Sequence, residues 1–130
     1  MNQPSILVVD DNRYVQETLP ALLEEEGYRV AVAKNGEDGF RKVCTQPIDL
    51  VITDVAMPDV DGLELIRLMR LDPFFQRLPI VAITAYGGRR MQEAKDAGAD
   101  ACFEKPLDHP LLLDTVARLS KRNASSDAPR

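Results

Sequence analysis

Three short apolar runs in this chain end on charged side chains, and no other feature constrains the fold as much. Ile6-Leu7-Val8-Val9 leads into Asp10-Asp11, Leu50-Val51-Ile52-Thr53 into Asp54, and Ala101-Cys102-Phe103-Glu104 into Lys105-Pro106. Each run has the length and composition of a buried strand. In a parallel sheet the C-terminal strand ends share one edge, so three carboxylates and one ammonium converge there. Two unit charges ~4 Å apart interact by roughly 4 kcal/mol at a surface-like dielectric, so crowded carboxylates need a neutralising partner.

Between these runs the chain alternates strand and helix patterns. Strands are predicted at Ser5 to Val9, Tyr28 to Ala33, Ile48 to Thr53, Pro79 to Thr84 and Ala101 to Lys105. The first helix starts at an Asn12 N-cap and runs to about Glu26, closed by Gly27. Val15, Leu19, Leu22 and Leu23 give it an apolar stripe, and Pro20 is expected to kink it. Further helices are predicted over Glu37 to Thr45, Leu63 to Leu71, Arg89 to Ala97 and Asp108 to about Lys121. Met57 to Gly62 reads as a turn-rich loop, and Gly87-Gly88 as a flexible joint. The alternation implies an α/β, (βα)5 three-layer sandwich around a parallel five-stranded sheet. Residues 1–122 form one domain on this reading, and 123–130 a polar tail or the start of a linker.

A length of 130 residues suits one domain. The net charge of −5 argues against nucleic acid as a direct partner, since backbone binding needs a dense basic face. Cys44 and Cys102 lack metal-ligand spacing and read as buried free thiols. No signal peptide or membrane span is evident, so a cytoplasmic location is expected.

In the flavodoxin-like strand order 2-1-3-4-5, the crevice at the sheet edge lies between the first and third strands. Those strands deliver Asp10, Asp11 and Asp54. Asp-Asp after the first strand repels a phosphate, whereas Mg2+ is commonly held by carboxylates, with water and phosphate oxygens completing its shell.

The motif set Val-Val-Asp-Asp at 8–11, Asp-Val-Ala-Met-Pro-Asp-Val-Asp-Gly at 54–62, Ile-Thr-Ala at 83–85, Gly-Ala-Asp at 98–100 and Lys-Pro at 105–106 resembles the receiver domain of two-component response regulators. The resemblance spans residues 5 to 120. It implies that Asp54 is the phosphoacceptor for a histidine kinase or phosphotransfer protein. It implies Mg2+ held by Asp10, Asp11, Asp54 and the backbone carbonyl of Ala56, with Thr84 and Lys105 on the phosphoryl oxygens. It also implies a cis bond before Pro106, and a downstream protein target or fused output domain. The fourth helix–fifth helix face is the expected contact should the protein oligomerise. Such a protein is a switch that promotes its own phosphorylation and dephosphorylation, not an enzyme in the ordinary sense.

Other readings compete. Asp10-Asp11 could cap the first helix, Lys105 could be a surface lysine, and Thr84 an ordinary strand residue. A haloacid-dehalogenase-like Mg2+ phosphatase would use Asp54, but it needs a second Asp where Ala56 stands. A degenerate receiver acting as a constitutive interaction module is a third reading. The chain departs from the family at Cys102, an atypical residue where an aromatic switch usually lies three positions before the lysine. Phe103 is expected on the opposite strand face. Signalling is then expected to rely on the loop after Thr84, with Tyr86 at the pocket rim. His109 reads as a surface residue of the fifth helix, and Asp59 and Asp61 as turn residues.

Overall fold

The computed structural model describes residues 3–57, 61–85 and 90–127, with side chains to residue 121. Asp59, Tyr86, the Gly87-Gly88 joint and Arg89 lie outside the described residues.

The strands are β1 (Ser5–Val9), β2 (Arg29–Ala33), β3 (Leu50–Asp54), β4 (Ile80–Thr84) and β5 (Ala101–Glu104). They pair in parallel in the order β2-β1-β3-β4-β5. The helices are α1 (Arg13–Glu25), α2 (Gly36–Thr45), α3 (Gly62–Leu71), α4 (Arg90–Ala97) and α5 (His109–Asp127).

Period-two alternation divides the core into two layers. Leu7, Val9, Val51, Ile80 and Ala82 pack with residues of α2, α3 and α4, such as Val43, Leu65, Met69 and Ala94. Ile6, Val8, Ile52, Val81 and Ile83 pack with Leu19 and Leu23 of α1 and Leu112, Val116 and Leu119 of α5. Strands covered on both faces have no solvated side, which is why they read as continuous apolar runs.

Helix ends follow local chemistry. Asn12, Asn35 and Asp61 cap α1, α2 and α3 by accepting from the backbone N–H groups of Val15, Asp38 and Glu64. Gly27, at φ +95°, follows the end of α1.

Several boundaries differ from expectation. β3 begins at Leu50, not Ile48, because the Asp49 carboxylate takes the Ser5 N–H at 2.7 Å where the ladder would otherwise start. A 3-10 turn, Pro73–Phe75, follows α3 where no element was predicted; Asp72 caps it, accepting from the Phe74 N–H at 2.9 Å. α5 runs to Asp127, so much of the expected polar tail or linker is helical. That segment contains neither Gly nor Pro to stop a helix before Pro129. Cys44 is exposed, not buried. It follows the buried Val43 by one residue, which swings it about 100° off the core-facing stripe of α2.

Candidate functional site

The register builds the site. Val9 pairs with Thr53, so Asp10 emerges beside Asp54 at the ends of neighbouring strands. Asp54 pairs with Ile83, which places Thr84 one residue further along β4, on the other flank of Asp54. The Lys105 N–H donates to the Thr84 carbonyl at 2.9 Å and continues the ladder past β5. The Lys105–Pro106 bond is cis.

Asp10, Asp11 and Asp54 each bring a carboxylate oxygen within 4.8 Å of the others. Asp10 and Asp54 are buried, while Asp11 is exposed. Lys105 Nζ lies 3.4 Å from Asp54 Oδ2, and Asp54 Oδ1 accepts from the Ala56 N–H at 3.2 Å. Glu104, at the end of the third apolar run, is exposed and stands outside the acidic group.

Two oxygens in this region are bare. Asp10 Oδ2 and Thr84 Oγ1 are buried without a hydrogen-bond partner among the described residues. An unsatisfied buried polar atom typically costs about 1–3 kcal/mol, so such atoms call for a ligand or a role. Burial pushes the Asp10 carboxyl above its usual range; the Asn12 N–H pulls it down, Asp54 pushes it up, Lys105 lowers it and Asp11 raises it. An all-oxygen donor set with excess negative charge suits a hard divalent cation such as Mg2+.

Three features of the site were not read from the sequence. Gln16 Nε2 donates to the Asp10 carbonyl at 2.6 Å. At Gly62 a Cβ would stand 1.9 Å from the Asp54 carbonyl oxygen, so only glycine lets the first turn of α3 lie against the strand end that carries Asp54. Arg90 Nη2 pairs with Asp61 Oδ2 at 3.3 Å and ties α4 to the cap of α3. Asp61 is thus a helix cap, close to its expected turn role. A glycine within turn formers was the one available hint for Gly62.

Cys102 is half-buried on the α4 side of the sheet, with Sγ 3.7 Å from the Met91 carbonyl, and burial pushes its thiol up. Phe103 packs in the opposite layer. His109 is exposed at the start of α5.

A five-stranded α/β sandwich with an acidic group and a lysine at its strand ends defines a class, and comparison with known proteins agrees with it. Residues 6–117 match the family model of the response regulator receiver domain, and the chain belongs to that family. It is 40% identical over 129 residues to response regulator Rre1 of Synechocystis, covering 95% of this chain and 55% of that protein. It is 36% identical over 114 residues to the CAI-1 autoinducer sensor kinase/phosphatase CqsS of Vibrio cholerae, covering 86% of this chain and 17% of that protein. The crystal structure of a CheY-like response regulator receiver domain protein from Methanospirillum hungatei matches with a TM-score of 0.87 at 25% identity, covering 96% of this chain and 99% of that one. The chain therefore spans about half the length of Rre1 and a smaller share of CqsS. Receiver domains are signalling switches of two-component systems and bind Mg2+ at an acidic pocket. Among the described residues, no helix is long and apolar enough to cross a membrane.

Proposed function

We propose that this domain takes a phosphoryl group from a phosphohistidine of a sensor kinase or phosphotransfer protein onto Asp54 and passes the event on as a change of shape. The observation that carries the reading is the pair of bare buried oxygens, Asp10 Oδ2 and Thr84 Oγ1, at the ends of the two strands that flank Asp54. Neither has a partner among the described residues, and a cation with a phosphoryl group would supply one to each.

In the transfer, an Asp54 carboxylate oxygen forms a bond to phosphorus. The bond from phosphorus to the imidazole nitrogen breaks, and its electron pair stays with the imidazole. Asp10, Asp11, Asp54 and the Ala56 carbonyl would hold Mg2+. When bound, the ion supplies positive charge against the phosphoryl oxygens. Lys105, already 3.4 Å from Asp54, meets the same oxygens as a second positive charge. The Thr84 hydroxyl donates to one of them.

That new bond draws on β4 and the segment after it, so α4 is the element positioned to respond. Its hold on the core is slight: Ala94 is its one buried residue among those described. With Cys102 where an aromatic ring usually sits, the Thr84 side of the pocket carries the relay. Downstream, a separate protein target or an attached output domain reads it. A cytoplasmic location fits that role.

The test is incubation with acetyl phosphate and Mg2+, followed by intact-mass measurement. The protein gains one phosphoryl group, and Asp54→Asn gains none. A gain that persists in Asp54→Asn, or no gain in the wild type, overturns the assignment.

A further inference from the structure

We propose that Gln16 is a positioning residue for the cation site: its side-chain amide clamps the Asp10 carbonyl and thereby fixes how the Asp10-Asp11 pair is presented. The inference rests on the receiver reading and adds a residue to it.

Asp10 is held at three points. Its N–H donates to the Ala33 carbonyl at 3.1 Å, and its Oδ1 accepts from the Asn12 N–H at 2.8 Å. Its carbonyl accepts from Gln16 Nε2 at 2.6 Å. With these three bonds made, Oδ2 is buried and has no partner among the described residues.

The Gln16 bond differs in kind from the other two. The Ala33 bond continues the sheet, and the Asn12 bond is a local turn. The Gln16 bond comes from the first turns of α1, six residues along the chain, and leans back toward the strand as helix side chains do. The same residue's N–H donates to the Asn12 carbonyl at 3.0 Å, so Gln16 is itself fixed by the helix. The carbonyl it grips belongs to the peptide joining Asp10 to Asp11. Rotation of that peptide would swing both carboxylates, so a clamp on its oxygen sets the direction of two of the three acids at once. It also occupies a backbone oxygen that could otherwise compete for the cation.

A clamp of this sort keeps a costly arrangement in place. Freed from it, the Asp10-Asp11 turn could relax so that Oδ2 reaches water. The resting protein would lose little stability, while the site would lose its preformed geometry. Ordinary packing predicts the reverse.

The experiment compares wild type with Gln16→Met, which keeps chain length and helix propensity but has no donor. Mg2+ affinity is measured by calorimetry, and melting temperature with and without Mg2+. The Mg2+ Kd is expected to rise about 10-fold, as is common when a partner that orients a metal ligand is removed. The metal-free melting temperature stays close to wild type, and the Mg2+-induced rise shrinks. A Kd within about twofold of wild type, or a lower metal-free melting temperature with an unchanged Mg2+-induced rise, overturns the proposal.

If Gln16→Met does not fold, Gln16→Leu serves, because it also lacks a donor, adds no charge and is a good helix former. A Kd raised severalfold supports the clamp, and one within about twofold of wild type overturns it. A wild type that neither binds Mg2+ nor takes a phosphoryl group on Asp54 sinks the receiver reading itself. A wild type that does both, with variants that bind Mg2+ equally well, sinks only the role of Gln16.

Discussion

Arg70 and Asp10 are both charged groups drawn away from water, and the fold treats them in opposite ways. Arg70 leaves α3 and spends its donors on the protein. Its Nε donates to the Gly98 carbonyl at 3.0 Å, and its Nη1 to the Phe75 and Leu78 carbonyls, both at 2.8 Å. Its Nη2 pairs with Asp100 Oδ2 at 3.0 Å. One guanidinium thus ties α3, the 3-10 turn, the end of α4 and the start of β5 together. Gly98, at φ +121°, lets the chain pass: a Cβ there would lie 2.6 Å from Arg70 Cγ. Asp10, by contrast, has one buried oxygen without a partner among the described residues, in an acidic crowd. Several partners mark a group that holds the structure together. A bare atom marks a group held ready for something that arrives later.

This contrast can be tested by mutation. Arg70→Ala should destabilise the domain by about 3 kcal/mol in urea unfolding, because it strips partners from three carbonyls and a carboxylate. Arg70→Lys should recover less than half of that, since an ammonium lacks the planar fork. A loss below about 1 kcal/mol for Arg70→Ala would dissolve the contrast.

Asp10→Asn should act with the opposite sign and stabilise the metal-free protein at neutral pH by about 1–2 kcal/mol. The pH dependence follows from the raised carboxyl. In the folded state Asp10 holds its proton more tightly than the unfolded value of 3.8 allows. The resulting stabilisation is complete below that value and is lost as pH rises through the higher folded pKa. The advantage of Asp10→Asn over wild type should therefore shrink as pH falls through this window. Unfolding in EDTA across acidic to neutral pH checks this, and an advantage that grows toward acid would contradict it.

The smallest effect belongs to an exposed pair. Arg13 Nε lies 3.7 Å from Glu17 Oε1 with both side chains largely in solvent. Arg13→Gln should change stability by less than about 0.5 kcal/mol. A larger loss would mean that the exposed end of α1 supports the Gln16 clamp.

The same contrast explains what could be read from the sequence. That Asp10, Asp11, Asp54 and Lys105 meet at one edge was legible because each follows an apolar run, and a parallel sheet gathers such ends; Thr84 came only from the family resemblance. The strands were legible because burial on both faces leaves them apolar throughout. Arg70 was not, because Gly98 and Asp100 lie 28 and 30 residues away and three of its four acceptors are backbone oxygens, which any residue type supplies. Gln16 was hidden for the same reason, since an amide meeting a carbonyl has no signature in composition. The 3-10 turn at Pro73–Phe75 was missed because Asp72-Pro73 signals a turn and a capped helix start equally well. The length of α5 was underestimated because small polar residues tolerate helix without demanding it.

α5 extends the domain as a rod. Its 19 residues span about 28 Å at 1.5 Å per residue. A protein grafted after Asp127 would be aimed as well as tethered. Each residue added or removed within that helix would turn the cargo by roughly 100° while moving it only ~1.5 Å, so insertions of seven residues, near two full revolutions, would best preserve its bearing.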